Sequence, residues 1–147
     1  MWIHAIAGTL SFSIFSLGLF LGAGVRPLLM PAMKSEPALI GPVLTGMFSR
    51  YNLVALGLSI VSLIIEMTSA PSLTKVSVSA SLTLILALKI AFDRVIKRRE
   101  RSAQVRGIGE EGKRLNLLHQ IVERATLVVI MLSFSLFVLN LLAVGKP

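Results

Sequence analysis

No cysteine occurs anywhere in the chain. That absence excludes a disulfide framework, thiolate-bound metal and a cysteine nucleophile, leaving His, Asp, Glu, Lys and backbone carbonyls for any chemistry. Catalytic signatures are also missing: there is no His-Glu-x-x-His, no glycine-rich phosphate loop and no nucleophile set beside a base. These gaps weigh against an enzyme. The first apolar run lacks a positive flank, since it opens Met-Trp-Ile-His, and it is longer than the apolar core of a signal peptide. It therefore reads as a retained helix.

What is present is apolar surface. Of the 147 residues, 54% are hydrophobic, and the mean hydropathy is +0.83. A soluble domain of this size buries only about two-thirds of its unfolded surface, too little to hide such a composition. The bilayer is the natural solvent. The net charge of +8 would suggest nucleic acid in a soluble protein. Here the charges collect at the ends of apolar segments, where they report topology and anionic headgroups instead.

Crossing hydrocarbon takes roughly 20 apolar residues in a helix. Four stretches qualify: Ile3 to Val25, Met47 to Met67, Val76 to Phe92 and Ala125 to Val144. Strands of that length with open edges would leave unpaired backbone in lipid. The expectation is an all-α, polytopic membrane protein: one four-helix transmembrane domain over residues 1–147, an antiparallel up-down bundle.

Orientation follows from the cations. With four spans, the first and third connections share a side. That side holds Arg26, Lys34, Arg50, Arg94, Lys97, Arg98, Arg99, Arg101, Arg106, Lys113, Arg114 and Arg124, against Lys75 and Lys146 opposite. The asymmetry is a positive-inside signal and puts both termini on the non-cytoplasmic side. A bacterial inner membrane, or an organellar equivalent, fits it. Helices three and four should extend into the cytoplasm as a basic hairpin turning at "RGIGEEG", where three glycines break the pattern. The connection from Arg26 to Pro42 carries four of the six prolines and should lie at the interface as a short helix or irregular segment.

Few polar residues interrupt the spans. Lys89 lies one turn before the end of the third and four residues before Asp93, so it reads as a snorkelling anchor or a local pair; a ligand or relay role is the alternative. If the hairpin turns near Gly109, residues whose numbers sum to about 218 lie level. That sets Asp93 beside Arg124 and Glu123 close to Arg94. His119 and Glu123 have metal-pair spacing, but arginines crowd that level, so His119 reads as an interfacial histidine. His4, beside Trp2, fits an aromatic belt; the alternative makes it a haem or chlorin ligand. Glu66 and Lys75 read as boundary markers. Gly18 and Gly22 form a GxxxG surface suited to close helix approach. The span serines can bond back onto their own helices, which makes no polar pathway.

The segments "HAIAGTLSFSIFSLGLFLGAGVRPLLMP", "GMFSRYNLVALGLSIVSLI" and "LNLLHQIVERATLVVIMLSFSLFVL" resemble the four-helix membrane family typified by transmembrane protein 205. The matching positions are His4, Pro27, Phe48, Tyr51 and His119. The resemblance implies a fold more than an activity. A more distant similarity to haem-containing membrane protoporphyrinogen oxidase implies a haem or other tetrapyrrole near His4 and Lys75, and one to the copper resistance protein D group implies four-helix units with helix-borne histidines.

Two functions follow as expectations. One is a non-catalytic membrane subunit or scaffold, docking through Gly18, Gly22 and the basic residues Lys97, Arg98, Arg99 and Arg101, with lipids and other membrane subunits as partners and with bound lipid. The other is a haem- or tetrapyrrole-binding redox protein using His4, with His119 as a second candidate ligand. Transport is disfavoured for want of broken helices and paired intramembrane charges.

Overall fold

In the computed structural model, residues 2–68, 72–102 and 109–144 are described, with the backbone alone for 33–34, 37–38, 41–42, 96–102, 109–116 and 119. All of the regular structure among these residues is helical. Helix α1 (Trp2–Leu19) passes through a π-helical segment, Phe20–Val25, into α2 (Arg26–Ser35). Pro27 follows the π segment directly, where the chain passes from the wider turn into α2 without a break. The stretch expected as a separate interfacial segment, Arg26 to Pro42, is instead divided: α2 continues the first span, and the next helix already begins at Pro37. Helix α2 ends at Glu36, which leaves helical geometry at φ −132° and ψ 65° while its N–H still bonds the Ala32 carbonyl at 2.8 Å. Helix α3 (Pro37–Thr68) follows at once. Helices α4 (Leu73–Ser102) and α5 (Gly109–Val144) complete the chain.

Among the described residues, four stretches are long and apolar enough to cross a membrane: Trp2–Ala32, Val43–Thr68, Leu73–Val95 and Gln120–Val144. Helix α4 continues seven residues past Val95 to Ser102, and α5 starts eleven residues ahead of Gln120.

Packing follows a heptad rule. Along α3 the buried residues are Tyr51, Asn52, Ala55, Ser59, Ser62 and Glu66; along α4 they are Lys75, Ser79, Leu82, Leu86 and Lys89. From Asn52 onward both series advance in alternating steps of three and four, the seam of left-handed helix packing. Asn52 bonds Lys89, and those numbers sum to 141. The same sum pairs Ala55 with Leu86, Ser59 with Leu82, Ser62 with Ser79 and Glu66 with Lys75. Against α5, α1 presents Ala7, Gly8, Ser11, Ile14 and Gly18. Phe12 stacks on Phe137 at 5.0 Å and Phe15 on Phe134 at 5.1 Å, both tilted, so numbers rising along α1 meet numbers falling along α5.

The distribution is inverted relative to a soluble bundle. Ser11, Asn52, Ser59, Ser62, Ser79, Ser133 and Asn140 are fully buried, while Leu53, Ile64, Leu84, Leu127, Met131 and Leu141 lie largely exposed on the outside. Water would penalise such a surface. Lipid accepts it and drives polar side chains inward, where they find one another.

Candidate functional site: two lysine–asparagine–acid bridges

The site begins with two lysines on one helix. Lys75 and Lys89 are fourteen residues apart on α4, close to four turns, so they share a face about 21 Å apart along the axis. That face is turned into the bundle. Lys89 is only 2% exposed. Its ammonium donates to Asn52 Oδ1 at 2.8 Å, and Asn52 Nδ2 donates to Asp93 Oδ2 at 2.7 Å. At the other end, Lys75 donates to Asn140 Oδ1 at 3.1 Å, and Asn140 donates to Glu66. Glu66 is 1% exposed and Asn140 fully buried. Each bridge is therefore lysine to amide oxygen, then amide nitrogen to carboxylate. An ammonium only donates and an ionised carboxylate only accepts, so chemistry dictates the orientation of both amides.

Each bridge ties helices together. The first joins α3 to α4, and Tyr51 extends it to α1: its hydroxyl donates to the Ile14 carbonyl at 3.1 Å, and its ring lies 5.8 Å from Lys89 Nζ, within cation–π range. The second joins α3, α4 and α5, and reaches α1 through His4, whose Nδ1 is 3.4 Å from Lys75 Nζ. A charge at mid-membrane costs about 2.5–3.5 kcal/mol on insertion scales. These bridges supply hydrogen bonds that offset that cost.

Several expectations change here. Lys89 does not snorkel: its partner is Asn52 across the bundle, and the amide stands between it and Asp93. Glu66 and Lys75 are buried bridge members as well as boundary residues. The interior lysines and acids are joined through an amide and not as direct ion pairs, and the first span passes through a π segment without a break in the helix. Glu123 pairs with Arg26, at the start of α2, where Arg94 was the expected neighbour. Arg124 is exposed, and the partner of Asp93 is Asn52.

The glycine pair divides. A Cβ on Gly18 would fall 2.5 Å from the Tyr51 hydroxyl and 3.0 Å from Ile130, so Gly18 serves internal packing. Gly22 has nothing within 4 Å of that position and borders a surface concavity with Arg26, Pro27, Met30 and Pro31. The side chains of His119, Lys97, Arg98, Arg99 and Arg101 lie outside the described residues. Among the described residues no group of three His, Asp or Glu could hold a metal ion.

Sequence reasoning missed Asn52 and Asn140, the centres of both bridges. The available signal was spacing: Asn52 and Glu66 are fourteen apart, as are Lys75 and Lys89, so the register that faces Asn52 with Lys89 also faces Glu66 with Lys75. Most span hydroxyls do bond back, as with Ser11 to Ala7, Ser59 to Leu56 and Ser133 to Ile130, each at 2.9 Å. Ser62 and Ser79 depart from that rule: both hydroxyls are buried with no hydrogen-bond partner on the protein.

Comparison with protein-family models, with curated proteins and with solved structures finds no match, and the functional argument rests on the chain's own residues.

Proposed function

We propose that this chain is a non-catalytic integral membrane subunit or scaffold. Its four spans alternate in direction as an antiparallel up-down bundle, with both termini non-cytoplasmic. The carrying observation is the direction in which the interior charges point: Lys75 and Lys89 are each held, through an asparagine, to an acid of the bundle. Groups so engaged brace helices against one another, and in apolar surroundings such polar links specify one register.

What remains for partners is the exterior. Gly22, open to a concavity beside Arg26, lets another helix or an anionic lipid headgroup approach closely. The basic residues Lys97, Arg98, Arg99 and Arg101 form a cytoplasmic projection on the positive-inside orientation. Lipid attraction decays within about 8 Å at physiological salt, so a helix continuing along the bundle axis carries its far cations beyond headgroups. An acidic protein surface is the better counterpart there.

The test replaces Lys97, Arg98, Arg99 and Arg101 together by glutamine and follows native-gel mass and cross-linking in membranes. The variant should remain inserted but run at its own mass, with raised salt reproducing the release in the parent protein. A larger assembly that survives both treatments refutes docking through the tip. Orientation is tested separately. The cysteine-free chain accepts single labelling sites, and Leu73→Cys should react with an impermeant reagent from outside while Gly109→Cys does not.

A further inference from the structure

Ser62 and Ser79 are the exception in an interior whose other polar groups find partners. Both are fully buried, and neither hydroxyl has a partner on the protein. They come from different helices, yet the α3–α4 register that joins Asn52 to Lys89 sets them opposite each other. Each lies four residues from a member of the outer bridge: Ser62 before Glu66, Ser79 after Lys75. The register thus sets the two serines level, one helical turn inside the Glu66–Asn140–Lys75 bridge.

A buried hydroxyl left unpaired is costly, and internal water is the usual partner where two to four polar groups converge. One turn toward the outer end, among the described residues, lie the joined bridge members Glu66 from α3, Lys75 from α4 and Asn140 from α5, with His4 from α1 beyond Lys75; Ser59 lies one turn the other way. At that end His4 is partly exposed. Toward the other end the next layers are Ser59 with Leu82, then Ala55 with Leu86, and the buried cluster there also includes Ile14 and Val129. That apolar layer separates the serines from Asn52 and Lys89.

We propose that Ser62 and Ser79 form an internal water site, filled from the end of the bundle that carries His4 and sealed from the opposite end by Ile14, Ala55, Leu86 and Val129. The ligand is water, and with it a proton-exchange route to the Glu66 carboxyl from one side of the membrane only. The interior is a one-sided polar port and not a through-channel. This goes beyond the scaffold reading and stands independently of it.

The natural lack of cysteine makes the test direct. Single variants Ser62→Cys, Ser79→Cys, Leu86→Cys and Leu73→Cys are reconstituted in vesicles and treated with a small charged methanethiosulfonate from each side. Leu73 is highly exposed at the His4 end and reports which side that end faces. A thiol reacts only as its thiolate, which a dry apolar site suppresses. Cysteines at 62 and 79 should therefore react at least about tenfold faster than at 86, from the same side as at 73. Adding Ser62→Val should lower the reactivity of Ser79→Cys toward the Leu86→Cys level, with Leu73→Cys unchanged as the control for fold. Positions 62 and 79 as inert as 86, or labelled only from the side opposite to 73, overturn the proposal.

Discussion

Replacing Asn52 by leucine keeps nearly the same volume and deletes two hydrogen bonds, one from the Lys89 ammonium and one to the Asp93 carboxylate. A hydrogen bond to a charged group contributes about 1.5–3 kcal/mol in soluble proteins. Between membrane helices about 0.6–1.7 kcal/mol is typical, because loosened helices find other partners. Two bonds on the membrane scale come to about 1–3 kcal/mol. The stranded lysine raises this. At 2% exposure, Lys89 cannot reach water without moving its helix, and breaking a buried charged contact costs about 3–5 kcal/mol, the lost bonds included. Asn52→Leu should therefore destabilise the bundle by about 3–5 kcal/mol. Adding Lys89→Met removes the orphan, and Asp93 is only half-buried, so the double variant should regain about 2 kcal/mol. The assay is reversible unfolding in mixed micelles of both single variants and the double, read by steric trapping. Effects that add within about 0.5 kcal/mol would show that the two residues are uncoupled, and the bridge argument would fall.

The second bridge should behave alike: Asn140→Leu costs at least as much as Asn52→Leu, because Glu66 is more deeply buried than Asp93, and the same unfolding assay compares them. Gly18→Ala should destabilise by about 1–3 kcal/mol through overpacking and be partly rescued by Tyr51→Phe, whereas Gly22→Ala, with open space around it, should be neutral or slightly stabilising. Breaking the Arg26–Glu123 pair with Glu123→Gln should cost less than about 1 kcal/mol in thermal melts, since both side chains are substantially exposed.

The membrane class was legible because it needs only run length and composition. Helix direction and register were not, and the partners depended on them. A lysine near a span end looks the same in sequence whether its stem reaches the headgroups or its helix face turns inward, so Lys89 read as an anchor and Lys75 as a boundary marker. Asn52 and Asn140 went unnoticed because one amide in a long apolar run barely changes its hydropathy. Yet inside a bundle that amide is what lets a lysine and a carboxylate share a bridge. The repeated interval of fourteen was present in the chain, and it becomes meaningful once two helices are laid side by side. Arg26 was read as the stop at the end of a span; its partner Glu123 is 97 positions away and follows from α1–α5 packing alone.

The π-helical segment Phe20–Val25 buries no side chain, so its value lies elsewhere. A wide turn within a continuous helix acts as a phase adjuster: it takes up an extra residue's worth of rotation without breaking the hydrogen-bonded rod. The angular setting of α1, which holds Gly18 under Tyr51 and Ile130, is thereby uncoupled from that of α2, which holds Arg26 against Glu123. Each end of the rod can be optimised against different neighbours. Tightening one turn of the segment to α geometry would swing Arg26 by about 100° around the axis and leave the upstream packing untouched. The rod therefore contains its own swivel, next to the open face at Gly22.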